Sequence, residues 1–83
     1  MEQLTSIRKT FGRNIHYLRQ RQGLKQVDAA ELLFISPKSL NHYEKGRCFP
    51  NEETLYRIAR LYNYTNLYKL LVIDITEALN EAA

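Results

Sequence analysis

Four polar side chains crowd one short stretch of the chain: Lys38, Ser39, Asn41 and His42. Their chemistry is that of hydrogen bonding to a polyanion and to base edges. An asparagine such as Asn41 can pair with adenine through N6 and N7 together. His42 can donate to a guanine or a phosphate, Lys38 brings a cation, and the small Ser39 hydroxyl can reach a phosphate. Each of these residues would also serve as an ordinary solvated group, so their weight depends on what holds them. Other chemistries find less support. Cys48 has no second cysteine, and neither His16 nor His42 stands at metal-ligand spacing from it. A Cys–His nucleophile would need a pocket and an oxyanion site. Paired carboxylates and a phosphate-cradling glycine loop are also missing, so no enzyme, cofactor or metal is expected. Asn63-Tyr64-Thr65 fits the N-glycosylation pattern, which carries no meaning without a secretory signal.

The elements that would position the polar run can be read from periodicity. Leu4, Ile7, Phe11, Ile15 and Leu18 mark one stripe of an amphipathic helix, placed at about 6–21 and stopped by Gly23. Residues 26–33 form a short second helix, with Lys25 a poor cap and Asp28 favourable in the first turn. Ser36-Pro37 is a strong start signal: serine caps free N–H groups and proline needs none. A third helix therefore runs from 37 to 44 and stops before Gly46. Asn51 caps a fourth helix, with Leu55, Ile58, Ala59 and Tyr62 inward. A fifth starts near Thr65 or Asn66 and uses Leu67, Leu70 and Leu71. Farther on, Leu71, Ile75 and Leu79 step by four and favour a continued helix, whereas the β-branched run Val72-Ile73-Asp74-Ile75 favours a break or a short strand. Continued helix is the preferred reading. The fold class is all-α, with five short helices.

Composition agrees with one small domain. The chain has 83 residues, of which 45% are hydrophobic and 25% charged. One cysteine excludes an internal disulfide and fits a reducing, cytoplasmic setting. No apolar leader stands at the N-terminus, and the longest apolar run, Leu70-Leu71-Val72-Ile73, is far too short to span a membrane. Net charge is +3, and it is unevenly spread. Residues 1–24 carry five cations, Arg8, Lys9, Arg13, Arg19 and Arg21, against Glu2 alone, while residues 51–83 are slightly acidic. A polyanion would be drawn to the first part. The six tyrosines could stack on bases, but Tyr43 and Tyr62 lie on core stripes, where packing explains them.

The second and third helices, joined by a tight turn, have helix-turn-helix geometry. Ala30 is small where the two would cross, and Ala29, Leu33, Ile35, Leu40 and Tyr43 can glue them. From Gly23-Leu24-Lys25-Gln26 to Tyr43-Glu44-Lys45-Gly46 the chain resembles the lambda-repressor-like, Xre-type helix-turn-helix family. Ile15-His16-Tyr17-Leu18-Arg19 before it and Pro50 with Leu55, Ile58, Ala59 and Leu61 after it extend the resemblance over about residues 11–71. The resemblance implies a five-helix domain over 1–71 with a tail, 72–83, that extends a helix or dimerises. It implies a prokaryotic, phage or plasmid regulator of transcription that binds double-stranded DNA, with the third helix in the major groove.

Functional positions carry over residue by residue. Gln26 matches a position that bonds a phosphate and often braces a base-contacting side chain. Pro37, Lys38 and His42 match positions that read base edges, with Ser39 and Asn41 on or beside that face. Lys45 and Arg47 fall where a loop meets the phosphate backbone. Arg19 and Glu44 match an inward salt bridge that fixes the angle of the third helix. Two departures stand out. Phe34 replaces the usual turn glycine, and since phenylalanine at positive φ is strained, a slightly different turn is expected. Pro37 replaces a residue that bonds a base, so one direct contact is lost or becomes an apolar contact with a thymine methyl.

A repressor on a palindromic operator requires a homodimer. Its expected surface is Tyr64, Leu67, Tyr68, Leu71, Ile75 and Leu79, although the same stripe could instead close the monomer's core. The other reading is a protein-interaction module of the same fold, an antitoxin or anti-regulator whose tail occupies a partner protein. No small-molecule ligand and no membrane is expected.

Overall fold

In the computed structural model, residues 2–64 and 66–75 are described, with side chains from residue 7 onward. Among the described residues five helices follow one another: α1 (Glu2–Arg21), α2 (Gln26–Leu33), α3 (Pro37–Glu44), α4 (Glu52–Leu61) and α5 (Leu67–Val72). No strand occurs among the described residues. The first helix begins at Glu2, four residues before the expected start near residue 6, and α3, α4 and α5 start where their caps place them. Ser36 accepts from the Ser39 N–H at 3.0 Å with Pro37 in the first turn, Asn51 from that of Thr54 at 2.9 Å, and Asn66 from that of Tyr68 at 3.0 Å. Lys25 makes no side-chain cap.

All four longer helices stop in the same way. After each, a residue with positive φ closes a pair of backbone hydrogen bonds, the Schellman arrangement. The four are Gly23 (φ 71°), Phe34 (60°), Gly46 (72°) and Asn63 (60°). At Phe34 the paired bonds run from its own N–H to Glu31 O at 3.2 Å and from Ile35 N–H to Ala30 O at 3.0 Å. The expectation of a different turn is thus corrected: phenylalanine adopts the left-handed conformation that glycine usually supplies. Its ring is 80% exposed and lies 5.2 Å from the Arg57 guanidinium, which also bonds Glu53 at 2.6 Å. A left-handed non-glycine residue costs roughly 1–2 kcal/mol, and the exposed cation–π contact returns only about 0.5–1 kcal/mol. Phe34→Gly is therefore expected to raise the unfolding free energy by about 0.5–1 kcal/mol, read as a Tm increase of a few degrees. An unchanged or lower Tm would place the strain elsewhere.

Phe11, Ile15, Leu33, Leu40, Ile58 and Leu70 form the fully buried centre of the core, one or two from each helix. Ala29 and Ala30 of α2 are also fully buried. Asn14 lies in the same interior with no exposed surface. Its amide nitrogen donates to the carbonyls of Leu70 and Ile73, both at 2.8 Å, and its oxygen accepts from the Ile75 N–H at 3.1 Å. This one side chain takes over backbone bonding at the end of α5. The helix accordingly stops at Val72, and Ile73 is extended (φ −97°, ψ 131°). The preferred reading of an unbroken helix through Leu71 and Ile75 is corrected: β-branched residues weaken the helix there and Asn14 offers its backbone another set of partners. The rest of that expectation, including Leu79, lies outside the described residues.

Candidate nucleic-acid interface

The third helix buries Leu40 and Glu44 and packs Tyr43 partly against the core. Pro37 and Lys38 are exposed at its start, and Ser39, Asn41 and His42 are half-buried along it. Ser39 is partly committed to the cap, since its hydroxyl accepts from that of Ser36 at 3.0 Å. Lys45 and Arg47 are exposed just beyond the helix. Lys9 of α1 passes close by, because a Cβ on Gly46 would stand 3.1 Å from the Lys9 Cα. Lys45, Arg47 and the backbone of Lys9 thus come together at the C-terminal end of α3.

A buried polar cluster behind this face holds the helix. The Glu44 side chain is 2% exposed. Its carboxylate accepts from Arg19 Nε at 2.7 Å and Nη2 at 3.1 Å, from His16 Nδ1 at 2.9 Å, and from Gln26 Nε2 at 3.0 Å. Arg19 also donates to Leu24 O at 2.8 Å. Burial opposes the charge on Glu44, but the bonds from Arg19, His16 and Gln26 outweigh it and hold the carboxyl below its usual range. The bond to Glu44 in turn raises the Arg19 guanidinium against its own desolvation. The buried Tyr62 phenol beside this pair is pushed well above its ordinary value, first by burial and then by the charge of Glu44.

Gln26 also donates to Asn41 Oδ1 at 3.2 Å. Its amide nitrogen thus points inward, toward Glu44 and Asn41. The cluster joins α1, α2 and α3 at one carboxylate. Sequence reasoning singled out Arg19, Glu44 and Gln26 but missed His16 as a fourth member, and Gly12 and Asn14 as positioning residues. His16 stands three residues before Arg19, one helical turn on the same face, which is the signal that could have found it. Gly12 in the middle of an otherwise good helix was a second such signal.

Elsewhere, Tyr64, Leu67 and Leu71 pack partly against the core and Tyr68 is 66% exposed. Ile75 is 4% exposed, so it closes the monomer's own core and has little surface for a partner. An open groove of about 1120 Å³ runs between α4 and α5, lined by Tyr56, Arg60, Asn63, Tyr64, Leu67 and Tyr68. Cys48 is a half-buried free thiol. Among the described residues there is no His, Cys, Asp and Glu cluster able to hold a metal, and no helix long and apolar enough to cross a membrane.

A helix-turn-helix domain model matches residues 10–66, the stretch that contains α2, the turn and α3. The chain belongs to the Xre-like helix-turn-helix family. Over 61 residues this helix-turn-helix chain is 34% identical to the HTH-type transcriptional regulator ImmR of Bacillus subtilis (strain 168), covering 74% of the chain and 48% of ImmR. It thus spans about half the length of that relative. Over 70 residues it is 37% identical to the ImmF control region 10 kDa protein of Bacillus phage phi105, covering 83% of the chain and 78% of that protein. In fold it is similar to the clp gene regulator ClgR from Corynebacterium glutamicum, with a TM-score of 0.72 at 23% identity over 92% of this chain and 81% of the other.

Proposed function

We propose that this chain is a sequence-specific, double-stranded DNA-binding regulator of transcription. The single observation that carries this reading is α3 itself: a polar face, exposed at Lys38 and half-buried at Ser39, Asn41 and His42, with Lys45 and Arg47 exposed just beyond it, on a helix locked from behind by a buried carboxylate. In this proposal α3 lies in the major groove. Pro37, Lys38, Asn41 and His42 meet base edges there, and Ser39, Lys45 and Arg47 meet the backbone. Gln26 braces from α2. Residues 1–71 form the DNA-binding domain and 72–83 a tail that serves assembly. The protein acts in the cytoplasm as a homodimer on a palindromic operator, its two recognition helices about 34 Å apart. The dimer surface is Tyr64, Leu67, Tyr68 and Leu71 around the α4–α5 groove. Repression follows when the bound dimer blocks the promoter. The naming of the Bacillus subtilis relative as a transcriptional regulator supports the same reading.

Fluorescence anisotropy on a random duplex and on the protein's own upstream region tests it, at about 50 and 200 mM salt. A dimer meeting 6–10 phosphates is expected to lose roughly 10³–10⁵ in affinity over that range. Lys38→Ala is expected to weaken the upstream duplex more than the random one, whereas equal loss on both would reduce Lys38 to a phosphate contact. Absence of binding at both salt concentrations would overturn the proposal and favour a protein partner in the α4–α5 groove.

A further inference from the structure

Three cations gather around Gly46. Lys45 and Arg47 flank it in sequence, and Lys9 meets it in space: a Cβ on Gly46 would stand 3.1 Å from the Lys9 Cα and 3.2 Å from its Cγ. The stem of Lys9 thus lies along the turn that ends α3. One helical turn further along α1, Gly12 seats the same helix on the Tyr43 and Glu44 carbonyl oxygens, 2.5 and 2.6 Å from a Cβ placed there. Backbone contact therefore fixes where Lys9 stands, while its charge stays in water: Lys9, Lys45 and Arg47 are all exposed. Among the described residues, none of these three side chains has a hydrogen bond or an ion pair. By contrast, Arg13, one turn beyond Lys9 on the same face, stands 3.9 Å from Asp74.

Like charges held together without an acid repel one another within a Debye length, about 8–10 Å. One cation near the C-terminus of α3 would complement the helix dipole. Three exceed that need and suit a polyanion. We propose that Lys9 binds a DNA backbone phosphate adjoining those met by Lys45 and Arg47, so that α1 grips the duplex together with the helix-turn-helix. The Lys9 ammonium donates to a phosphate oxygen, a contact that positions the protein and carries no sequence information. The inference rests on the proposed binding of DNA through α3 and adds a contact from an element outside the helix-turn-helix.

Fluorescence anisotropy on a random duplex, titrated between about 50 and 200 mM salt, tests it with the native chain, Lys9→Ala, Lys9→Arg and Arg21→Ala. Arg21→Ala removes the same charge from the other end of α1, twelve residues or about 18 Å away, where Arg21 lies 5.9 Å from the Tyr17 ring. Lys9→Ala is expected to lower the slope of log affinity against log salt by about 0.9 for each protomer bound. The loss of affinity over this salt range then shrinks about 3.5-fold per protomer. On the protein's own upstream region, Lys9→Ala should weaken binding by the same factor as on the random duplex. Lys9→Arg and Arg21→Ala should both keep the native slope. A native slope in Lys9→Ala, or an equal fall in Arg21→Ala, would overturn the inference while leaving DNA binding in place. A lower Tm in Lys9→Ala together with a native slope would overturn it too, and would assign the side chain to the dipole of α3. Absence of native binding at every salt concentration would overturn the functional reading and the inference together.

Discussion

Glu44→Ala is expected to destabilise the domain by about 3–5 kcal/mol, because it leaves the buried Arg19 guanidinium without its carboxylate. Arg19 is 8% exposed and keeps only the Leu24 carbonyl as an acceptor, with the His16 Nδ1 3.1 Å away. Small domains have total stabilities of about 5–15 kcal/mol, so the variant should lie near or beyond the edge of folding at 25 °C. Urea unfolding followed by circular dichroism measures this directly, and a loss below about 1 kcal/mol would mean that water replaces the carboxylate without penalty.

The same group sets a pH dependence. Its carboxyl lies below the usual value of 4.5 in the folded state. The unfolded chain therefore binds the proton first, and folded stability falls as pH drops. The contribution of Glu44 is fully present above that ordinary value and is lost as pH falls through the lower, folded value. Glu44→Gln, which cannot carry the charge, is expected to lower stability at pH 7 and to flatten the acid side of the profile. A parallel, undiminished acid slope in the Gln variant would assign the acid sensitivity to other carboxylates.

How much of this could be read from sequence depends on the range of the signal. Helix starts at Ser36-Pro37, Asn51 and Asn66 are local, and so is the stripe of Ile7, Phe11, Ile15 and Leu18; each could be read within a few residues. The helix-turn-helix was legible for the same reason, since about twenty adjacent residues carry it. What escaped notice depends on contacts between distant parts of the chain. Asn14 looks like a polar residue on a helix, and only the chain's return 56–61 residues later shows that it caps α5. Phe34 shows the opposite balance: its side chain alone argues against positive φ, yet the cap geometry imposes it. Two shared backbone bonds and a packed Ile35 outweigh a local cost of about 1–2 kcal/mol. Gln26 was placed correctly on α2, but the direction of its amide depends on Glu44, eighteen residues away.

Gly12→Ala is expected to destabilise by about 2 kcal/mol, opposite in sign to the usual effect of that substitution. In a helix interior alanine is favoured over glycine by about 1 kcal/mol. Here, however, a Cβ would stand 2.5 Å from the Tyr43 carbonyl oxygen and 2.6 Å from that of Glu44. Both are backbone atoms at the end of α3, so no side chain can swing aside. The two helices must separate, and overpacking of this kind costs about 1–3 kcal/mol or more. Separation also lengthens the Arg19–Glu44 bonds, since Arg19 lies on the helix that carries Gly12. The two effects should therefore be coupled. In a double-mutant cycle with the milder Glu44→Gln, Gly12→Ala is expected to cost at least 0.5 kcal/mol less than it does alone, because part of what it breaks is already weakened. Additive losses would show that the glycine serves backbone approach only. A stabilised Gly12→Ala would show that α1 and α3 can separate freely, and the close seat of the third helix on the first would then lose its role in aiming it.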